Sequence, residues 1–78
     1  MMPKYTVVMI PEEEGGYSVE VPALPGCYTQ GETREEALAM AKDAIELYLE
    51  SLVVDGEPLP VERKLETELV EVATPTGS

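Results

Sequence analysis

Histidine is absent from this 78-residue sequence, as are tryptophan and phenylalanine. Without histidine the chain lacks the commonest general base and the commonest zinc ligand, so it contains no Ser-His or Cys-His catalytic pair. The single cysteine, Cys27, excludes a disulfide within the chain and fits a reducing compartment. These absences argue against an enzyme of the common hydrolase classes.

Basic residues are also scarce: five Lys and Arg face sixteen Asp and Glu, for a formal net charge of −11. Such a chain repels phosphate backbones, which argues against direct binding of nucleic acid. It would be attracted to a basic partner, although the same charge also suits a protein that is merely kept soluble. With no signal peptide and no apolar run of about 20 residues, the sequence predicts a soluble cytoplasmic protein outside the membrane.

Three β-prone stretches fill the first part of the chain. Lys4–Ile10 is rich in β-branched residues on both of its faces, which is typical of a central strand. Tyr17–Val21 alternates, with Tyr17, Val19 and Val21 predicted inward and Ser18 and Glu20 outward. Cys27–Gln30 is predicted to return as a third strand after the Pro25-Gly26 turn.

The strongest local signal is the start of a helix at Thr33. Thr33 and Glu36 form a capping box, in which the Thr33 hydroxyl accepts from the Glu36 amide and the Glu36 carboxylate reaches back to the Thr33 amide. Apolar residues then recur at helical spacing, and Gly56 is a plausible stop. The pattern predicts a helix from about Arg34 to Val54 that lays one apolar face on the sheet.

A last strand is predicted at Glu66–Val72, which completes the order β-β-β-α-β. We expect an α+β two-layer fold with one long helix on an antiparallel meander. Residues 1–73 are expected to form a single domain and residues 74–78 a flexible tail.

Carboxylates are numerous enough to raise the possibility of a metal-dependent nuclease. Such a site requires two or three acids that converge on one ion, and no spacing in this sequence forces convergence. We therefore predict no metal, no cofactor and no catalytic residue. Cys27 is interpreted as a small half-buried side chain, because nearby positive charge that would favour a thiolate is lacking.

The run from Tyr17 to Thr33, YSVEVPALPGCYTQGET, resembles the signature of HicB-like antitoxins. Ala37-Leu38, Ala41-Lys42, Ala44-Ile45 and the DGEPLP run at 55–60 continue the resemblance, which covers roughly residues 4 to 60. Ala23 departs from the pattern, since the family often has an acid there. The resemblance implies a partial RNase H-like fold and an antitoxin of a type II toxin–antitoxin module.

The implied partner is a HicA-like toxin, a small basic ribonuclease that cleaves mRNA and whose RNA-binding or catalytic surface the antitoxin covers. Family members usually add a C-terminal DNA-binding domain. Because the sequence stops after one strand candidate, we do not carry operator binding over. Short members without an evident toxin partner also exist, so a stand-alone oligomeric domain is an alternative, and an RNase H-like carboxylate-metal nuclease is a weaker one.

An acidic inhibitor of a basic surface needs apolar anchors as well as charge. The predicted partner-binding residues are Glu12, Glu13, Glu14, Glu20, Leu24, Pro25 and Tyr28. The competing interpretations are core or dimer packing for Leu24 and Tyr28, and a solvated turn for the three consecutive glutamates.

Self-association is also expected, as a dimer or tetramer, because a chain of this size builds only a small core. Leu69, Val70 and Val72 near an exposed sheet edge would be able to pair across subunits.

Overall fold

The computed structural model describes residues 2–75, which contain three strands and one helix. In chain order these are β1 (Val8–Pro11), β2 (Tyr17–Glu20), β3 (Tyr28–Gly31) and α1 (Arg34–Val54). The strands form one antiparallel sheet in the order β1-β2-β3, and α1 packs on one of its faces. The predicted α+β arrangement of a three-stranded meander followed by one long helix is confirmed, whereas likeness to RNase H stays a prediction.

The register of the sheet decides which side chains meet the helix. Met9 pairs with Val19, and Val19 pairs with Thr29, so these residues share the inner face. Val19 is buried against Ala37 and Ala41 of α1, with Met9 and Tyr17 packed around them. The inward direction predicted for Tyr17, Val19 and Val21 is confirmed, since all three belong to the core clusters or pack against them.

Strand β1 begins at Val8, later than the predicted Lys4. Val8 pairs with Glu20, the last residue of β2, and shortly beyond it Pro22 has no backbone N–H to continue the ladder. Residues 2–7, here called the N-terminal segment, keep the alternation of the strand: Tyr5 and Val7 are half-buried and Thr6 is exposed.

Helix α1 begins and ends as the sequence predicts. Thr33 Oγ1 accepts from the Glu36 amide at 3.0 Å, but the Glu36 carboxylate accepts from the Glu32 amide at 3.3 Å, not from that of Thr33 as predicted. At the other end Gly56 has φ of +71°. Its amide donates to Val53 O at 3.1 Å and the Glu57 amide to Leu52 O at 2.9 Å, which is a Schellman motif.

Gly31 allows the start of α1 to approach β3 closely. A Cβ at this position would lie 2.4 Å from Ala37 N and 2.6 Å from Ala37 Cα, far inside contact distance. Only glycine therefore lets the strand end and the first helical turn pack at this spacing.

The predicted fourth strand at Glu66–Val72 is wrong for this structure. Residues 57–75, the C-terminal segment, contain no helix or strand, and all of them except Pro60 are exposed. A strand requires a hydrogen-bonded neighbour, and none lies beside this segment in the part of the chain described. β1 is consequently an edge strand and not the central strand that its composition predicted. The predicted tail at 74–78 falls mostly on residues 76–78, outside the described residues.

Candidate functional site

One face of the sheet is left uncovered by the helix. It carries two rows of three side chains, Val8-Glu20-Tyr28 and Ile10-Ser18-Gln30, here called the outer face. Tyr28 is 67% exposed, Ile10 45% and Val8 37%. Exposed apolar side chains that adjoin one another, as Val8 and Ile10 do along β1, are a mark of interaction surfaces.

Two carboxylates lie among and beside these apolar side chains. Glu20 lies between Val8 and Tyr28 in the first row. Beyond the second row, Glu12 accepts a hydrogen bond from Ser18 Oγ at 2.5 Å, which holds the Glu12 carboxylate beside the outer face. Apolar anchors interspersed with carboxylates are what a partner with a basic surface would require.

The hairpin turn at 12–16 lies at one end of the sheet. Gly15 and Gly16 have φ of +98° and +82°, and the turn is closed by the Glu12 amide donating to Gly16 O at 3.0 Å. Glu13 and Glu14 are exposed on it. Beside the turn is a shallow open depression whose carboxylates come from Glu12, Glu14, Glu32 and Glu36.

The loop at 21–27 lies at the opposite end of the sheet, between β2 and β3. Three backbone hydrogen bonds hold it, including Val21 N to Cys27 O at 3.1 Å. Leu24 is fully buried there beneath α1, so its side chain is unavailable to a partner and belongs to the core. Pro25 is exposed, and its carbonyl accepts from the Tyr48 hydroxyl of α1 at 2.9 Å.

The structure thus brings together only part of the predicted set. Glu12, Glu20 and Tyr28 border or occupy the outer face, Glu13 and Glu14 lie at the hairpin end, and Pro25 lies at the other end. Val8 and Ile10 are on the outer face and were not assigned from sequence. The signal for them is the apolar outer side of β1, which in the sequence alone predicts a central strand.

Cys27 is 6% exposed and packs with Val21 and Leu24. Desolvation by burial raises the pKa of the Cys27 thiol. Its environment therefore favours the neutral, unreactive form, as expected for a packed core side chain. Within residues 2–75, no three Asp, Glu or Cys side chains converge as a metal site would require.

Comparison with known proteins adds to this geometry. The model of the HicB-like antitoxins of bacterial toxin–antitoxin systems matches residues 5–74. The chain belongs to the HicB-like antitoxin family. The match includes the outer face, the helix and nearly all of the described C-terminal segment.

Relatives of the HicB-like antitoxin chain fall into two length groups. A UPF0150 protein of Thermoplasma acidophilum is 54% identical over 57 residues, which are 73% of this chain and 83% of the relative. A UPF0150 protein of Archaeoglobus fulgidus is 44% identical over 73 residues, 91% of this chain and 97% of the relative. Antitoxin HicB 1 of Photorhabdus laumondii is 41% identical over 75 residues, 96% of this chain but 48% of the relative. The chain therefore spans about half the length of that antitoxin.

The helix of this HicB-like chain is not a membrane span. Among the described residues, no helix is both long enough and apolar enough to cross a bilayer.

Proposed function

We propose that this protein is an antitoxin that binds a HicA-type mRNA ribonuclease and masks its RNA-binding or active surface. The observation that carries the proposal is the uncovered outer face, where Val8, Ile10 and Tyr28 are exposed alongside the carboxylates of Glu12 and Glu20. Family membership supports the general role, since the family consists of antitoxins.

The apolar group supplies most of the binding free energy in this proposal. Tyrosine is enriched among residues whose truncation weakens protein complexes, because it buries a large rigid ring at low entropic cost. Tyr28 is the most exposed of the three anchors and lies at the edge strand β3. We expect it to insert into an apolar depression of the toxin.

The acidic groups direct the approach of the toxin. An RNA-binding surface is basic, so a chain with a net charge of −11 is attracted to it over a distance comparable to the screening length. Glu13 and Glu14 on the hairpin turn, together with the depression that includes Glu32 and Glu36, are positioned to receive lysine and arginine side chains. Pro25, at the opposite end of the sheet, would contact the periphery of the bound toxin.

The proposal assigns no catalytic role to this chain and a cytoplasmic location, where a ribonuclease acting on mRNA would have to be inhibited. Its histidine-free composition and its unreactive buried thiol agree with a role in binding. Operator binding is not part of the proposal.

The test is an mRNA-cleavage assay with a purified HicA-type ribonuclease, together with a pull-down of that ribonuclease at low salt. We expect stoichiometric inhibition by the unaltered chain. Tyr28→Ala should weaken the complex by about 2 kcal/mol, roughly 30-fold in Kd. Combining Ile10→Ala with Tyr28→Ala should weaken the complex further.

Leu47→Ala is the matched control, because Leu47 is 69% exposed and lies on α1 away from the outer face. It should inhibit like the unaltered chain. Failure of the toxin to bind at low salt, or full inhibition by the Tyr28→Ala, Ile10→Ala double variant, would contradict the proposal.

A further inference from the structure

An apolar groove runs between the N-terminal segment and one flank of α1. Tyr5 and Val7 form one wall, and Leu38, Ile45 and Leu49 form the other. The groove lies on the β1 side of the molecule, where β1 has no paired neighbour except β2 within residues 2–75. A strand added beside β1 would cover the groove, and it would also form hydrogen bonds with the unpaired backbone groups of the β1 edge.

The composition of β1 fits the presence of such a neighbour. Val7 and Met9 point to the core, while Val8 and Ile10 point outward. Strands that are apolar on both faces are typical of the interior of a sheet. In a single copy of the chain, β1 is nevertheless at the edge.

The C-terminal segment has the composition of the missing strand but no neighbour of its own. Val61, Leu65 and Leu69 alternate with Glu62, Glu66 and Glu68 along it, and Val70 and Val72 follow. Leu69 is 101% exposed, Val70 79% and Val72 75%. These large apolar side chains bury little or no surface against their own molecule.

The start of the segment is fixed beside the groove, and the remainder leaves the molecule. Tyr5 Oη donates to Pro60 O at 2.5 Å and Thr6 Oγ1 to Glu62 Oε2 at 2.7 Å. Past Glu62, the described residues up to 74 make no hydrogen bond to the sheet or helix.

The dimensions of the chain show how far the segment projects. The radius of gyration is 16.3 Å and the extents are 56 × 26 × 20 Å. A compact chain of this length would have a radius of gyration of about 12 Å. Residues 63–75 can span roughly 40 Å when extended, which is enough to reach the free edge of a second molecule.

Charge at this surface also favours a second copy over an unrelated acidic or basic partner. Three of the five basic residues lie on the groove or on the segment that would enter the groove of a second copy: Lys42, Arg63 and Lys64. The acidic Glu46 on the groove rim and Glu66 and Glu68 on the segment provide the opposite charges. The surface is therefore self-complementary in a chain that is otherwise strongly acidic.

We infer that two copies of this chain exchange their C-terminal segments, each segment pairing with the β1 edge of the other copy and burying Leu65 and Leu69 in its apolar groove. The exchange is two-fold symmetric and closed, so it removes the free β1 edge of both molecules without forming a filament. It leaves the outer face open, and it does not depend on which partner that face binds.

Sedimentation equilibrium on the full 78-residue chain tests the inference. The unaltered protein should have twice the mass of one chain at micromolar concentration. Leu69→Glu and Leu38→Glu should each weaken dimerisation at least tenfold. Leu47→Glu places the same charge on an exposed apolar helix position away from the groove and should remain dimeric.

Mixing distinguishes exchange from any other dimer. Leu69→Glu impairs the segment and keeps the groove, whereas Leu38→Glu impairs the groove and keeps the segment. Mixed, they should form a heterodimer that contains one intact exchange, tighter than either homodimer. Circular dichroism confirms that both variants are folded.

A monomeric unaltered chain would overturn the inference, and so would a dimer that Leu69→Glu leaves intact or a mixture that forms no heterodimer. A monomer would indicate that the segment folds back on its own β1. The outcome is separable from that of the antitoxin proposal, because Leu69→Glu should still inhibit the toxin while Tyr28→Ala should still dimerise.

Discussion

Leu24 and Tyr28 show how environment separates two residues of the same predicted site. Leu24 is fully buried beneath α1, whereas Tyr28 is 67% exposed on the outer face. The Leu24 side chain fixes the loop at 21–27 from within the core, whereas the Tyr28 side chain is available to a partner.

The two residues should therefore respond differently to truncation. Leu24→Ala leaves a cavity and is expected to lower the free energy of unfolding by about 3 kcal/mol. Tyr28→Ala removes exposed area and should change stability by less than about 0.5 kcal/mol. Urea denaturation of both variants measures the difference, and equal stability losses would show that Tyr28 belongs to the core.

Gly31 is the glycine at which adding a single methyl group should destabilise the fold most. A Cβ there would collide with the backbone of Ala37, which has no side-chain freedom to yield. Gly31→Ala is expected to destabilise the fold by about 2 to 3 kcal/mol. Gly15→Ala serves as the comparison, because nothing lies within 4 Å of its Cβ and only the positive φ opposes it.

Thermal unfolding monitored by circular dichroism compares these two glycine variants. Gly15→Ala should cost about 1 kcal/mol, from backbone strain alone. A smaller loss for Gly31→Ala than for Gly15→Ala would show that β3 and α1 are able to move apart without cost.

At the scale of elements, α1 owes its boundaries to local chemistry and its stability to packing. Its caps are made by Thr33 at the start and by Gly56 at the end. Only Ala37 and Ala41 are fully buried along it, and the larger apolar residues are half-buried or exposed. A helix with so small a buried area depends on its caps more than a deeply packed one does.

Thr33→Ala should consequently lower the free energy of unfolding by about 1 kcal/mol. The Thr33 hydroxyl accepts from the Glu36 amide, and alanine leaves that amide without an acceptor from the chain. Thr33→Ser retains the hydroxyl and should restore most of the stability. Chemical denaturation of the three proteins checks the expectation, which an unchanged midpoint for Thr33→Ala would contradict.

At the scale of the whole molecule, the net charge of −11 acts with opposite sign on the two proposed associations. Two copies of the chain repel each other over long distances, and salt screens that repulsion. A basic toxin is attracted, and salt screens that attraction.

Raising sodium chloride should thus strengthen the dimer and weaken the complex with the toxin. Sedimentation measures the first and a binding titration the second across the same salt series. A dimer that weakens with salt would show that attraction between the complementary charges of the groove and the segment outweighs the repulsion between two acidic chains.

The features predicted correctly from sequence are those that depend on neighbouring residues. The Thr33 N-cap and the stop at Gly56 are local, and α1 begins and ends where they indicate. The alternation in Tyr17–Val21 likewise gave the inner face of β2, since side chains on a strand alternate by geometry.

The features predicted wrongly depend on distant parts of the chain. Glu66–Val72 has the composition of a strand, but pairing needs an edge, and the described chain provides none to this segment. Leu24 was predicted to meet a partner, but it is buried, and its neighbours in the sequence carry no mark of that burial. Val8 and Ile10 are not among the residues predicted to bind a partner. In the sequence, a strand that is apolar on both faces indicates burial, whether or not a neighbouring element covers it.

By itself, the sequence determined the α+β class, the helix from Arg34 to Val54, the acidic character and the family, because caps, alternation, charge and motif order are written in consecutive residues. Only the tertiary structure decided that β1 is an edge, that Leu24 is buried while Tyr28 is exposed, and that the C-terminal segment leaves the molecule. Those outcomes depend on which surfaces meet across long separations in the chain, and a local pattern contains no information about what will lie beside it.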